Sequence, residues 1–529
     1  MGKIHVLDVT LRDGGCVNNF NFGLIYMEKI LKAQEDSGVE IIEMGYIDEK
    51  NGSESGRTQY LSDQIIPKCI LKNKKEGVTY VAMMDFGKFN PENLAPRSDK
   101  SIDGLRVAFH KKDMHNMVSV CKTVIAKGYQ VFIQPMITLR YSDSELLELI
   151  NIVNTELSDA SGFYIVDTFG EMRPNDMARV MNLVDHNLLP SMPMGFHSHN
   201  NIQMSYSNAC AMLQFPTKRD LMIDSSIMGM GKGAGNLNTE LLLEHLNVFY
   251  GKNYDLNPLL EVIDKVINQI HSEFYWGYAP EYYLSSTYHC TPSYASHFYN
   301  KHQLPINQVA ELLGMIEEQK KISFDKSYAE ELWVKYNASK QVDDAPVVSE
   351  MKSLVKGKVV LLVAPGKSIL SYKEQIETLI AEENVLTIGL NLTEAFNVDI
   401  QMTTRQDVYE AAVMSGKAVL TTSNVSKGAR GNVKVLNYEN WIDISNGRTH
   451  DSSSVIMLNL LKACNAKTIY LAGFDGFVVN INENYSDPNL RHPVTIEQVE
   501  RRNAYYKRFI ASIVAEGVEV KFITPSKYE

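Results

Sequence analysis

Ile4-His-Val-Leu-Asp-Val9 is a short apolar run that gives way at once to Thr10-Leu-Arg-Asp-Gly-Gly15, a polar turn ending in two glycines. Runs of the same kind recur at 40–45, 79–84, 104–109, 130–135, 162–167, 194–197 and 221–224. Each is short, apolar and bounded by Gly, Asp or Pro, as strands buried on both faces are. The intervening segments, such as 142–155 and 174–184, carry apolar residues at helical spacing. Eight such alternations predict a closed (β/α)8 barrel, an α/β fold, rather than an open sheet.

A chain of 529 residues exceeds what one hydrophobic core usually serves, so more than one domain is expected. A composition of 44% hydrophobic and 22% charged residues is that of a globular protein without disordered bias. The net charge of −11 argues against a nucleic-acid partner, which would call for clustered Lys and Arg. Six cysteines without CxxC spacing suggest neither a disulfide framework nor a thiolate zinc site. The first strand-like run begins too early for a signal peptide, and no stretch reaches the roughly 18 apolar residues of a membrane span. A cytoplasmic location is therefore expected.

Residues 1–285 are assigned to the barrel and 286–340 to a helical extension. A polar stretch at 341–357 reads as a linker. A second alternation of strands and helices begins at Lys358-Val-Val-Leu-Leu-Val and predicts a smaller Rossmann-like α/β domain over 358–529.

Three segments of the barrel fall where such enzymes keep their active sites, at the carboxyl ends of strands. Leu7-Asp-Val-Thr-Leu-Arg-Asp-Gly-Gly places Asp8 on the first strand and Arg12 in the following loop. Gly195-Phe-His-Ser-His-Asn-Asn ends the seventh strand, where residues two apart share a face, so His197 and His199 can offer two imidazoles to one ion. Met228-Gly-Met-Gly-Lys-Gly-Ala-Gly-Asn-Leu-Asn-Thr-Glu follows the eighth strand and brings Asn236 to the same rim.

In order and residue type, the three resemble the metal-dependent TIM-barrel lyases, aldolases and synthases, over about residues 4 to 285. The family includes 4-hydroxy-2-oxovalerate aldolase and hydroxymethylglutaryl-CoA lyase. The resemblance implies a divalent ion, Mn2+ or Mg2+ ahead of Zn2+, held by Asp8, His197 and His199, with Asn236 approaching or completing the shell. A 2-oxo acid would fill the open positions, and Arg12 would stabilise the developing oxyanion. Asp13, Glu43, Tyr46, Tyr288, His289 and metal-bound water are candidates for the general base. Asp167, Thr168 and Tyr288 are read as substrate-binding. Segment 229–236 lacks the cysteine of the hydroxymethylglutaryl-CoA lyases, and Gly14-Gly15 is more like the aldolase branch. Cys16 stands where that branch has an aromatic residue or His.

In the second domain, Val360-Leu-Leu-Val-Ala-Pro-Gly-Lys-Ser reads as strand, turn and helix start. Asp451-Ser-Ser-Ser-Val and Ile469-Tyr-Leu-Ala-Gly-Phe-Asp resemble segments of bacterial sialyltransferase-like domains. That resemblance implies a nucleotide or nucleotide-sugar site lined by Gly366, Ser368, Ser453, Ser454 and Asp475, with His492 as an acid-base residue.

The function expected is a carbon-carbon lyase that cleaves a 4-hydroxy-2-oxo acid, or condenses pyruvate with an aldehyde, in surface-polysaccharide sugar biosynthesis. An acyl-CoA-dependent Claisen-type synthase is the nearest alternative. A nucleotide-sugar-binding or glycosyl-transferring protein with a scaffold barrel is the alternative from another class. Small-molecule 2-oxo acid and aldehyde partners and a homo-oligomer are expected.

Overall fold

Strand β1 (Ile4–Asp8) pairs in parallel with β2 (Ile41–Ile47) on one side and with β8 (Leu221–Ser225) on the other. Between them run β3 (Thr79–Asp85), β4 (Gly104–Phe109), β5 (Gln130–Pro135), β6 (Gly162–Asp167) and β7 (Met194–Ser198). Each is parallel to its neighbours, so the eight close into the expected barrel. This is a computed structural model, and it describes residues 2–53, 55–301, 304, 306–338, 341–392, 396–426, 431–445, 448–490 and 494–529. Two compact units divide at Lys326 and Ser327.

Alternation along the strands sorts side chains between two layers. Leu7, Val9, Ile41, Val81, Phe132, Tyr164, Val166 and Met222 fill the barrel interior, whereas Val6, Ile42, Ala82, Ile133, Ile165, Phe196 and Ile223 face the helices outside. Gly195 makes room for the largest interior ring, since a Cβ there would lie 2.5 Å from Tyr164. In β2 the pairing with β3 shifts register between Glu43 and Tyr46, with Gly45 at φ +145°. Bulges of this kind re-aim side chains beside active sites. A two-residue strand, Gln59–Tyr60, extends the sheet at that point; it is too short to show a period in sequence.

The helices outside obey ordinary end rules. Helix Asp143–Glu156 opens on a capping box between Ser142 and Glu145, and helix Leu24–Ser37 ends at Gly38, whose φ of +88° closes the last turn. After helix Thr239–Tyr250 come Asn257–Val262, Asn268–Glu273, Pro280–Thr287, Pro292–Ser296 and Ile306–Gly314, a helical extension that belongs to the first unit. No helix among the described residues is long and apolar enough to cross a membrane.

The second unit is built on seven parallel strands. They are β9 (Val359–Val363), β10 (Val385–Leu390), β11 (Ile400–Met402), β12 (Val419–Thr422), β13 (Val433–Leu436), β14 (Thr468–Ala472) and β15 (Glu519–Phe522). Their spatial order is β13-β12-β11-β10-β9-β14-β15, an open sheet whose strand order reverses between β9 and β14. Strand β11 is missing from the sequence reading because three residues, one of them Gln401, carry no recognisable period.

Two boundaries differ from expectation. The helical stretch assigned to 286–340 is divided between the units at Lys326, and the linker expected at 341–357 contains helix Ala345–Val355. Its polar entry is packed rather than exposed. Asp344 is buried, and its Oδ2 accepts from the Trp441 indole (2.7 Å) and from the Asn437 backbone N–H (2.8 Å). Replacing Asp344 by Ala leaves two buried donors unpaired, and a loss of about 2 kcal/mol or more is expected in urea unfolding. A solvated linker would lose no more than about 0.5 kcal/mol.

Candidate active site

Past the end of β1 the chain turns on Val9, whose carbonyl accepts the backbone N–H groups of Arg12 and Asp13. That turn aims Asp13 into the barrel mouth. Its Oδ2 lies 3.4 Å from His197 Nε2 and 3.5 Å from His199 Nε2. One ligand atom from each of Asp13, His197 and His199 falls within 4.8 Å of the others, and all three residues are buried. The imidazoles stand edge to face, 5.4 Å between centroids.

A ring of buried charge holds this cluster. His197 Nδ1 lies 2.9 Å from Asp224 Oδ2, which leaves Nε2 for the mouth. Asp224 is also paired with Arg106, Arg106 Nη1 lies 3.0 Å from Glu43 Oε2, and Arg12 Nε donates to the same oxygen at 2.8 Å. Arg12 Nη1 then reaches Asp13 Oδ1 at 3.7 Å and closes the ring.

Titration follows from these neighbours. Burial opposes ionisation of Asp13, but Arg12 and the two imidazoles outweigh it and hold the carboxyl well below its usual range. Burial pushes His199 down to about 4, against the pull of Asp13. Neutral His199 and ionised Asp13 are the forms that bind metals. Asp13 Oδ2 and Asn236 Oδ1 are buried without a hydrogen-bond partner. Asn236 sits beside His199 through a backbone bridge, with its Nδ2 committed to the Met230 carbonyl. One carboxylate, two imidazoles and a spare amide oxygen fit a divalent ion.

Asp8 is not part of this cluster. Leu7 and Val9 on either side of it face the interior, so Asp8 faces the outer helices. There it accepts from Thr10 N (2.8 Å), Gln34 Nε2 (2.6 Å) and Thr239 Oγ1 (2.6 Å). Burial lifts its carboxyl to about 6, even against those donors. The carboxylate that meets the histidines is Asp13, which the sequence reading had placed among the acid-base candidates. Asp224 and Arg106 went unforeseen, although each is a lone charge inside an apolar strand, and that is the signal which could have found them.

The other expected residues are placed as follows. Glu43 is fully buried between two arginines. Asp167 accepts from Glu171 N (2.9 Å) and Met172 N (3.0 Å), and burial raises it to about 7. Thr168 Oγ1 accepts from Ile137 N (2.8 Å), whose φ is +55°, so that side chain secures the neighbouring loop. The ring of Tyr288 lies over Gly314, within the extension. In the second unit, Asp475 receives both Ser368 N (2.8 Å) and Ser368 Oγ (2.5 Å). Gly366 donates to the Gly473 carbonyl, which a Cβ at Gly366 would approach to 2.2 Å. Ser453 Oγ accepts from Asn391 Nδ2 (3.0 Å), Ser454 is beside Tyr506, and His492 lies outside the described residues. The Ser368 amide is thus already taken by a carboxylate.

The two aspartates give opposite outcomes in one experiment. After dialysis against Mn2+ and elemental analysis, Asp13→Asn should lose the bound metal and Asp8→Asn should keep it. Asp224→Asn, which frees His197 to turn, should weaken Mn2+ binding about 10- to 100-fold. Retention of metal by Asp13→Asn would overturn the assignment.

The barrel sequence is similar to known proteins. Residues 104–266 match the family described as HMGL-like. A 4-hydroxy-2-oxovalerate aldolase of Shewanella pealeana is 26% identical over 59% of this chain and 91% of its own length. One of Carboxydothermus hydrogenoformans is 27% identical over 50% of this chain and 77% of its own. Among solved structures, a variant of the carboxyl transferase domain of Rhizobium etli pyruvate carboxylase superposes with a TM-score of 0.50, covering 66% of this chain and 65% of that one. At 12% identity that likeness is one of fold alone. With the motifs and the closed barrel in agreement, the barrel unit carries an HMGL-like domain and is similar to the TIM-barrel lyases and aldolases, and it is a carbon-carbon lyase.

Proposed function

We propose that the barrel cleaves a 4-hydroxy-2-oxo acid into pyruvate and an aldehyde, or joins the two in the reverse direction. The observation that carries this reading is the meeting of Asp13, His197 and His199 beside Arg12, whose Nη2 is buried without a partner. A buried donor left unpaired costs stability unless a ligand completes it. The relatives named 4-hydroxy-2-oxovalerate aldolase support the same chemistry.

An ion held by Asp13, His197 and His199, with the Asn236 oxygen at hand, would supply Lewis acidity toward the 2-oxo group. A site of mixed oxygen and nitrogen donors with open positions suits Mn2+ or Mg2+ ahead of Zn2+. The protein's own residues do the rest. Arg12 is locked by Glu43 at 2.8 Å, so its free Nη2 is a preorganised donor for the oxyanion that forms as the carbon-carbon bond breaks. Glu43 is engaged by two guanidinium groups, which suits it to positioning rather than to taking a proton. Asp224 fixes the His197 ring so that Nε2, not Nδ1, faces the mouth.

For the second unit we read a site for a nucleotide-linked sugar at the reversal of the sheet, where Gly366, Ser368 and Asp475 converge beyond β9 and β14. The Asp475 carboxylate suits hydroxyl donors better than phosphate. This pairing of units would place the reaction in the making of a surface-polysaccharide sugar.

Pyruvate release from a panel of 4-hydroxy-2-oxo acids, read by coupled lactate dehydrogenase, tests the barrel. Release should require Mn2+, disappear on chelation, and fall at least about a hundredfold in Arg12→Ala. Free thiol released from an acyl-CoA with a 2-oxo acid, and no pyruvate from the panel, would replace the aldolase by a Claisen-type synthase. Titration calorimetry with CMP and UDP tests the second unit: binding lost in Asp475→Ala supports it, and no heat with either nucleotide refutes it.

A further inference from the structure

Neither Asp13, a metal ligand, nor Glu43, clasped by two arginines, is free to take the substrate's hydroxyl proton. The helical extension carries a pair built for that task. Glu171 lies in the loop after β6, and its side chain is 4% exposed. Its Oε2 lies 2.5 Å from His289 Nδ1. Such a contact assigns the Nδ1 proton to the carboxylate and leaves Nε2 as the basic nitrogen. Among the described residues Nε2 has no hydrogen-bond partner, and the imidazole is 56% exposed.

The pair is fastened to the metal site's own loop. Gly170 packs so closely on the His199 carbonyl that a Cβ would stand 2.8 Å from its oxygen. Glu171 N donates to Asp167 at the end of β6. From the other side, Ser286 Oγ donates to the Phe169 carbonyl at 2.6 Å, three residues before His289. His289 itself adopts a φ of +58°, a conformation a non-glycine residue holds only at some cost. Arg140 Nη2, from the loop after β5, secures it by donating to the His289 carbonyl at 2.9 Å, and lies 3.4 Å from Glu171 Oε1. The charged groups around the imidazole are Glu171, Arg140 and Glu318.

We infer that His289, oriented by Glu171, is the general base of the cleavage, so that the extension supplies the proton-transfer group and the barrel the electrophilic site; this rests on the aldolase reading above. Nε2 takes the proton of the C4 hydroxyl, and the O–H electrons become the second bond of the aldehyde carbonyl. The C3–C4 bond breaks, and its electron pair stays on the pyruvate enolate. The enolate takes a proton from solvent at C3, and the imidazolium returns its own proton to solvent, so the step balances without an oxidant or a further reactant.

Two reactions of the full chain with Mn2+ separate this role from a structural one. Cleavage of a 4-hydroxy-2-oxo acid needs the hydroxyl proton removed, whereas exchange of pyruvate methyl protons with solvent deuterium, followed by NMR, needs only the enolate. His289→Asn keeps a residue that tolerates positive φ. It should lower kcat for cleavage about a hundredfold or more while exchange continues at the wild-type rate. Glu171→Gln, which weakens the acceptor that orients the imidazole, should lower kcat for cleavage about tenfold while KM and the exchange rate stay at their wild-type values. Unchanged cleavage in His289→Asn, or parallel loss of cleavage and exchange, would overturn the proposal. A wild-type protein that neither cleaves nor exchanges would instead sink the aldolase reading itself, and does so before any variant is compared.

Discussion

Arg106 is the constraint on which the mouth of the barrel depends. Its guanidinium is fully buried inside the barrel, 4.8 Å above the Tyr164 ring, and it is compensated by Glu43 on one side and Asp224 on the other. A buried cation is tolerated only with partners in place, and losing one partner costs several kcal/mol. Both partners therefore have little freedom. Glu43 passes that rigidity to Arg12, and Asp224 passes it to His197. The Arg12 guanidinium and the His197 imidazole are thus set by the same buried charge, although one follows β1 and the other lies on β7.

Much of this arrangement was legible in the residues. The barrel could be read because strands buried on both faces are continuous apolar runs, and His197 and His199 because two residues apart on a strand means one face. The choice of Asp8 over Asp13 came from motif likeness; the period-2 rule, applied to Leu7 and Val9, points Asp8 outward to Gln34 and Thr239. Arg106 and Asp224 needed a different question, namely what neutralises a lone charge in a buried strand. The answer joins β4 to β8 across the interior, a pairing that no local pattern encodes.

The second unit shows the same limit. Its strands were largely recoverable, but the stretch around Asp344 was polar and read as a linker, when its carboxylate is buried against Trp441 and Asn437. At the sheet reversal the turn has the glycine of a phosphate-binding loop, yet Asp475 occupies the amide that would make it one. Composition describes the turn; only the tertiary partner decides which charge it accepts.

The closure of β1 against β8 has a consequence for the chain during its synthesis. Ile4 through Asp8 pair with Leu221 through Ser225, and Asp13 follows directly on β1. At about 5–20 residues per second, a ribosome needs on the order of tens of seconds between making Asp13 and making the strand that closes the barrel. For most of that interval the acidic turn has no histidines to meet, because His197 and His199 are made only shortly before β8. The cluster of Asp13, His197 and His199 can therefore be enclosed by a finished barrel only once β8 is made, with more than half of the chain still to be synthesised.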